Sequence, residues 1–98
     1  MRHRDGSSLT RYREKHVRAR QAVGLDPRRT STLSGYDVGT RVRGRAGALI
    51  HRDGVVTRSE WHILPAGQMV VRFDDPVVDR YQLIAVLPDE VEPLSPPG

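Results

Sequence analysis

QMVVRFDDP, Gln68 to Pro76, puts Met69, Val71 and Phe73 on one side of an extended chain and Val70 and Arg72 on the other, then ends on two carboxylates and a proline. Side chains alternate across a strand with a period of two, so the stretch predicts a strand whose Met69, Val71 and Phe73 face builds the core. Asp74-Asp75-Pro76 then turns the chain, with Asp75 kept extended by the proline that follows it. Around this strand, the block from Asp37 to Leu94 is 58 residues long and holds 26 of the chain's 36 hydrophobic residues, so the core is expected there.

The rest of the block reads as short strands broken by turns. In VGTRVRG, Val38 to Gly44, Val42 lies between Arg41 and Arg43, which predicts one apolar and one basic face. Gly44 and Gly47 bracket Arg45-Ala46 and predict a bulge or sharp bend. Ala48 to Ile50 then reads as a short strand, and His51-Arg52-Asp53-Gly54 as a hairpin turn, because Asp-Gly tolerates the positive φ such turns require. Val55 to Arg58 resumes the strand, Trp61 to Leu64 reads as extended, and Pro65-Ala66-Gly67 as a turn. YQLIAVL, Tyr81 to Leu87, is the last long strand, with Tyr81, Leu83, Ala85 and Leu87 expected to face inward. Pro88-Asp89-Glu90 turns the chain and Val91 to Leu94 adds a final strand, leaving Ser95 to Gly98 as a flexible tail. Short strands at this spacing predict a mainly β domain over residues 36–94, with a small barrel of about five strands as the economical form.

Residues 1–35 read as a basic N-terminal arm. Ser7 or Ser8 can cap a helix of about residues 8–23, on which Leu9, Tyr12, His16, Ala19 and Val23 follow at spacings of 3, 4, 3 and 4 and form a thin apolar stripe. Arg11, Lys15 and Arg18 lie together on another face. Gly24 is the natural stop, reinforced by Asp26-Pro27. Such a helix is marginal alone in water and needs a surface to lie on. That surface is either its own barrel or a polyanion. Arg28 to Ser34 is a polar linker that extends the positive charge through Arg28 and Arg29.

The order GTRVRGRAG, variable loop, VVRFDD, hydrophobic strand and closing EVEPL resembles the SH3-like small barrels of KOW, Tudor and related bacterial modules. The matching positions are Gly39, Val42, Gly44, Gly47, Val71, Phe73, Asp74 and Leu94. The resemblance implies a mainly β, SH3-like barrel behind the basic amphipathic helix, and the fold hosts unrelated functions. RGRAG and VRF are also similar to the barrel of nitrile hydratase β subunits, a likeness that implies a structural accessory and not a catalyst.

The chain has no cysteine, which excludes disulfides, thiolate zinc sites and a cysteine nucleophile. It has no apolar run of bilayer length, and MRHRDGSSLT lacks the apolar segment of a secretory leader, so a cytoplasmic protein is expected, or a virion component if the gene is a phage's. Neither Asp74-Asp75 nor the run Ser59, Glu60, His62 has the context of a catalytic group. His3, His16, His51 and His62 lack metal-ligand spacing. No enzyme activity, metal, cofactor, small-molecule substrate or membrane partner is expected.

Charge is divided unevenly. Residues 1–45 carry 12 Arg and Lys against 4 acids, a net +8, and residues 46–98 carry 4 against 8, a net −4. Such asymmetry points to a basic arm that meets a polyanion or an acidic protein surface. Arg supplies 15 of the 16 basic residues, which suits bidentate phosphate contacts and is equally the bias a GC-rich genome would give. The candidate binding residues are Arg11, Lys15, Arg18, Arg28, Arg29, Arg41, Arg43 and Arg45, with Trp61 as a stacking or core residue. The expected activity is binding of nucleic acid or a nucleoprotein complex. The alternative is a structural or assembly subunit that binds neighbouring proteins, or further copies of itself, through its arm and barrel edge.

Overall fold

The computed structural model describes residues 14–58, 64–78 and 81–94. Five strands, β1 (Arg41–Gly44), β2 (Asp53–Thr57), β3 (Met69–Phe73), β4 (Leu83–Val86) and β5 (Val91–Pro93), form one antiparallel sheet in the order β4-β3-β2-β1-β5. The sheet curls into a half-barrel, and the described residues are mainly β with one α-helix, α1, over residues 14–22. Successive strands pair with their neighbours until β5 returns to the free side of β1, where Val42 opposes Pro93 and Gly44 opposes Val91.

The concave side holds the core. Val42, Val56, Met69, Val71, Phe73, Ile84, Val86 and Val91 are buried in one cluster, and the alternation of Met69, Val71 and Phe73 is as the sequence predicts. Tyr36 and Tyr81 pack against it from the margin. The cluster also takes in Ala19, Val23 and Leu25. The core therefore extends beyond the Asp37 to Leu94 block, and α1 with the turn after it lies against the half-barrel. His16, Ala19 and Val23, three positions of the predicted stripe, are buried; Leu9 and Tyr12 lie outside the described residues.

The end of α1 follows from its sequence. Gly24 takes the left-handed φ of 80°, the Gly24 N–H donates to the Gln21 carbonyl at 3.1 Å and the Leu25 N–H to the Arg20 carbonyl at 2.8 Å. That is a Schellman turn, with Leu25 as the apolar residue that packs beneath it. The glycine corner of the barrel completes the end, because the Ala48 N–H donates to the Val23 carbonyl at 2.8 Å.

Three local expectations are corrected. In the last long strand, Ile84 and Val86 face the core while Leu83 is 41% exposed. Pairing with β3 sets this phase, Val71 opposite Ile84 and Arg72 opposite Leu83. Ala85 and Leu87 are buried, but outside the core cluster. Next, Gly47–Leu49 forms a 3-10 turn that takes up Ala48 and Leu49 of the strand expected over Ala48 to Ile50. Finally, Asp53-Gly54 lies inside β2 and not in the turn, whose positive φ falls on His51 at 68°. Gly54 is required by close packing, since a Cβ there would lie 2.7 Å from the Arg72 carbonyl oxygen.

Candidate binding surface

Pairing between strands aligns Arg41, Val55, Arg72 and Leu83 in one row across the convex face of the sheet, with Arg43 beside Asp53 and Glu92 in the next. Arg41 and Arg43 are exposed there, as the alternation around Val42 predicts. Each is engaged by a carboxylate. Arg41 Nη1 and Nη2 donate to the two Asp74 oxygens, both at 2.9 Å, and Arg43 Nε and Nη2 donate to Asp53 at 2.7 and 3.3 Å. Hydrogen bonds from these arginines hold the Asp74 and Asp53 carboxyls below the usual carboxylate range, so both stay ionised at neutral pH. Exposed pairs of this kind add little stability. They do engage two of the five N–H groups of each guanidinium and offset its charge, so a phosphate would compete with a carboxylate for it.

Arg29 is engaged in the same way. It donates to both Asp89 oxygens and, at 3.4 Å, to Glu90. Lys15, Arg18, Arg28 and Arg45 are exposed. Arg18 lies 3.9 Å from Glu14 one helical turn away, and among the described residues Lys15, Arg28 and Arg45 form no ion pair. Arg11 and Trp61 lie outside the described residues.

Among the described residues, the most buried charge is one the sequence does not single out. Arg20 is 1% exposed and Glu90 3%. Nη1 and Nη2 of Arg20 donate to Glu90 Oε1 and Oε2 at 2.7 and 2.9 Å, Nε and Nη2 to the Asp26 carbonyl at 2.9 and 2.6 Å, and Nη1 to the Ala85 carbonyl at 2.9 Å. All five guanidinium N–H groups thus have acceptors. Glu90 Oε1 also accepts the Leu87 N–H at 2.8 Å. One residue of α1 therefore ties the helix to the linker, to the edge strand β4 and to the turn before β5. Arg20 and Glu90 together satisfy the Ala85 carbonyl and the Leu87 N–H along the edge of the sheet, where no further strand pairs among the described residues. A signal was present in the sequence: Arg20 is four residues after His16 and three before Val23, so it lies on the buried stripe.

Beside this pair is a cleft of about 420 Å³ between α1, the linker and the 65–68 turn. Its floor includes His16 and Arg20, and its walls include Val17, Pro27, Leu64 and Pro65. Burial, with Lys15 adding to it, lowers the His16 pKa from 6.5, which favours the neutral imidazole at neutral pH. Among the described residues no group of three His, Cys, Asp or Glu could hold a metal ion, and no helix is long and apolar enough to cross a membrane. No protein-family model matches the chain, and neither does any curated protein or solved structure.

Proposed function

We propose that this chain is a non-enzymatic binding module in which an SH3-like small barrel carries a basic helix, and that the residues on and around that helix engage nucleic acid or a nucleic-acid-bound complex. The curled meander whose last strand returns to the first supports the SH3-like reading.

The observation that carries the proposal is where the charge remains once the fold has formed. Arg20, Arg29, Arg41 and Arg43 of the first 45 residues pair with Glu90, Asp89, Asp74 and Asp53 of the remainder. Setting aside these four arginines and four acids takes the first part from +8 to +4 and the second from −4 to 0. The acidic surface that the basic half meets is in large part its own C-terminal half. What is left unbalanced lies in the N-terminal part, where Lys15, Arg18 and Arg28 are exposed. An excess of this sign recruits polyanions through counterion release.

Assembly through the barrel edges has less support. The β4 edge is covered in part by Arg20 and Glu90, and the β5 edge carries Glu92 and Pro93, a charge and a proline of the kind that blunts an edge. The test is titration of the full chain with a mixed-sequence oligonucleotide over a range of salt. Contacts from Lys15, Arg18 and Arg28 alone give log K against log[salt] a slope of about −2 for a single strand, at about 0.7 per phosphate. Binding that ignores salt, or no binding at low salt, refutes the proposal.

A further inference from the structure

The cleft beside α1 differs from the convex face of the sheet in one respect that bears on its ligand: among the described residues no carboxylate lines it. Arg20 on its floor is neutralised by Glu90, and His16 beside it is favoured as the neutral imidazole. Val17, Pro27, Leu64 and Pro65 supply apolar wall, and Gln68 and Thr30 supply polar groups that can meet the edge of a planar heterocycle. The Gln68 amide N–H donates to the Arg29 carbonyl at 3.1 Å, which fixes that side chain and leaves its oxygen as an acceptor. Arg28 stands exposed at the mouth. A volume of about 420 Å³ lies in the range of small-ligand pockets, roughly 300–1,000 Å³, and suits one extruded base but not a duplex.

We infer that this cleft receives one unstacked base of a single-stranded nucleic acid, with the adjoining phosphate on Arg28. The inference rests on the nucleic-acid reading above and names its substrate class. Two observations favour a single strand as the occupant. The convex arginines Arg41 and Arg43 are held by Asp74 and Asp53, which lowers the net positive charge the sheet offers to the paired backbones of a duplex. An apolar recess with a cation at its rim and no acid among the described residues of its lining complements a group that is flat and apolar in body and anionic beside it, which is the make-up of a nucleotide unit in a strand.

The test compares three probes of equal length by fluorescence anisotropy: a mixed-sequence single strand, the same strand with abasic sites throughout, and the matching duplex. The single strand is expected to bind at least tenfold more tightly than the abasic strand. Thr30→Trp, which fills the mouth from an exposed position, is expected to abolish that ratio. A 2-aminopurine strand read on the unaltered chain gives a second measurement that does not depend on the variant folding, and its fluorescence is expected to change on binding as the base leaves the stack. Equal affinity for the base-bearing and abasic strands overturns the inference while leaving the polyanion reading intact. Preference for the duplex, or displacement of the strand by a free mononucleotide or a leucine-containing glutamate-rich peptide at equal concentration, also overturns it. Absence of binding to all three probes refutes both.

Discussion

Glu90→Ala is expected to lower stability by about 3–5 kcal/mol, the range for breaking a buried ion pair by removing one partner. The substitution strands the guanidinium of Arg20, which is 1% exposed, and removes the acceptor of the Leu87 N–H at 2.8 Å. Domains are stable by only about 5–15 kcal/mol in total, so the loss is a large fraction of what holds this one together. At about 4–8 °C per kcal/mol for a domain of this size, the thermal midpoint is expected to fall by at least about 12 °C. The double variant Arg20→Met with Glu90→Leu separates charge from packing. Apolar replacement of a simple buried pair is often neutral or stabilising. Here Arg20 also serves the Asp26 and Ala85 carbonyls, so recovery is expected to be incomplete. Thermal or urea unfolding of Arg20→Met, Glu90→Leu and the double variant closes the cycle. Full recovery would show that those carbonyl contacts contribute nothing.

Gly47→Ala is the second large effect. Gly47 has a φ of 55°, and a Cβ on it would lie 2.1 Å from the Val23 carbonyl oxygen. That oxygen is the acceptor of the Ala48 N–H, so relief of the clash pulls the barrel corner from the end of α1. Left-handed backbone costs a non-glycine residue about 1–2 kcal/mol, and forced repacking a further 1–3 kcal/mol. The midpoint is expected to drop by roughly 10 °C or more, with loss of helical ellipticity before the sheet unfolds. Gly39→Ala is the control for backbone strain without contact, since φ is 97° there and nothing lies within 4 Å of the added carbon. Equal effects at the two positions would remove the docking explanation.

Both effects concern the junction of helix and barrel, which the sequence disclosed only in part. Met69, Val71 and Phe73 were legible because Arg72 fixes the solvent side of their strand. YQLIAVL was not, since both of its phases are largely apolar and only pairing with β3 selects Ile84 and Val86. Asp53-Gly54 has the composition of a turn, yet its glycine answers the close approach of β3, while the turn places its positive φ on His51, a residue type that does not announce it.

The basic stripe was legible as composition and not as geometry. The partners of Arg29, Arg41 and Arg20 lie 60, 33 and 70 residues away, and nothing local shows that the acids of the second half come back to meet them. Arg20 reads as one more solvated cation among Arg11, Arg13, Lys15 and Arg18 unless its spacing from His16 and Val23 is given more weight than its charge. Once paired, Arg41 and Arg43 become parts of the sheet's surface, and the candidate contact residues shift towards Lys15, Arg18 and Arg28, with Arg45 also exposed and in no ion pair among the described residues.

That shift is tested most directly by comparing the salt dependence of oligonucleotide binding for Lys15→Gln/Arg18→Gln/Arg28→Gln with that for Arg41→Gln/Arg43→Gln, each checked for an intact fold by circular dichroism. The account predicts that the first variant loses most of the slope, at about 0.7 per single-strand phosphate contact removed, while the second keeps the slope of the unaltered chain. Loss of the slope in the strand variant with its retention in the helix variant would contradict it.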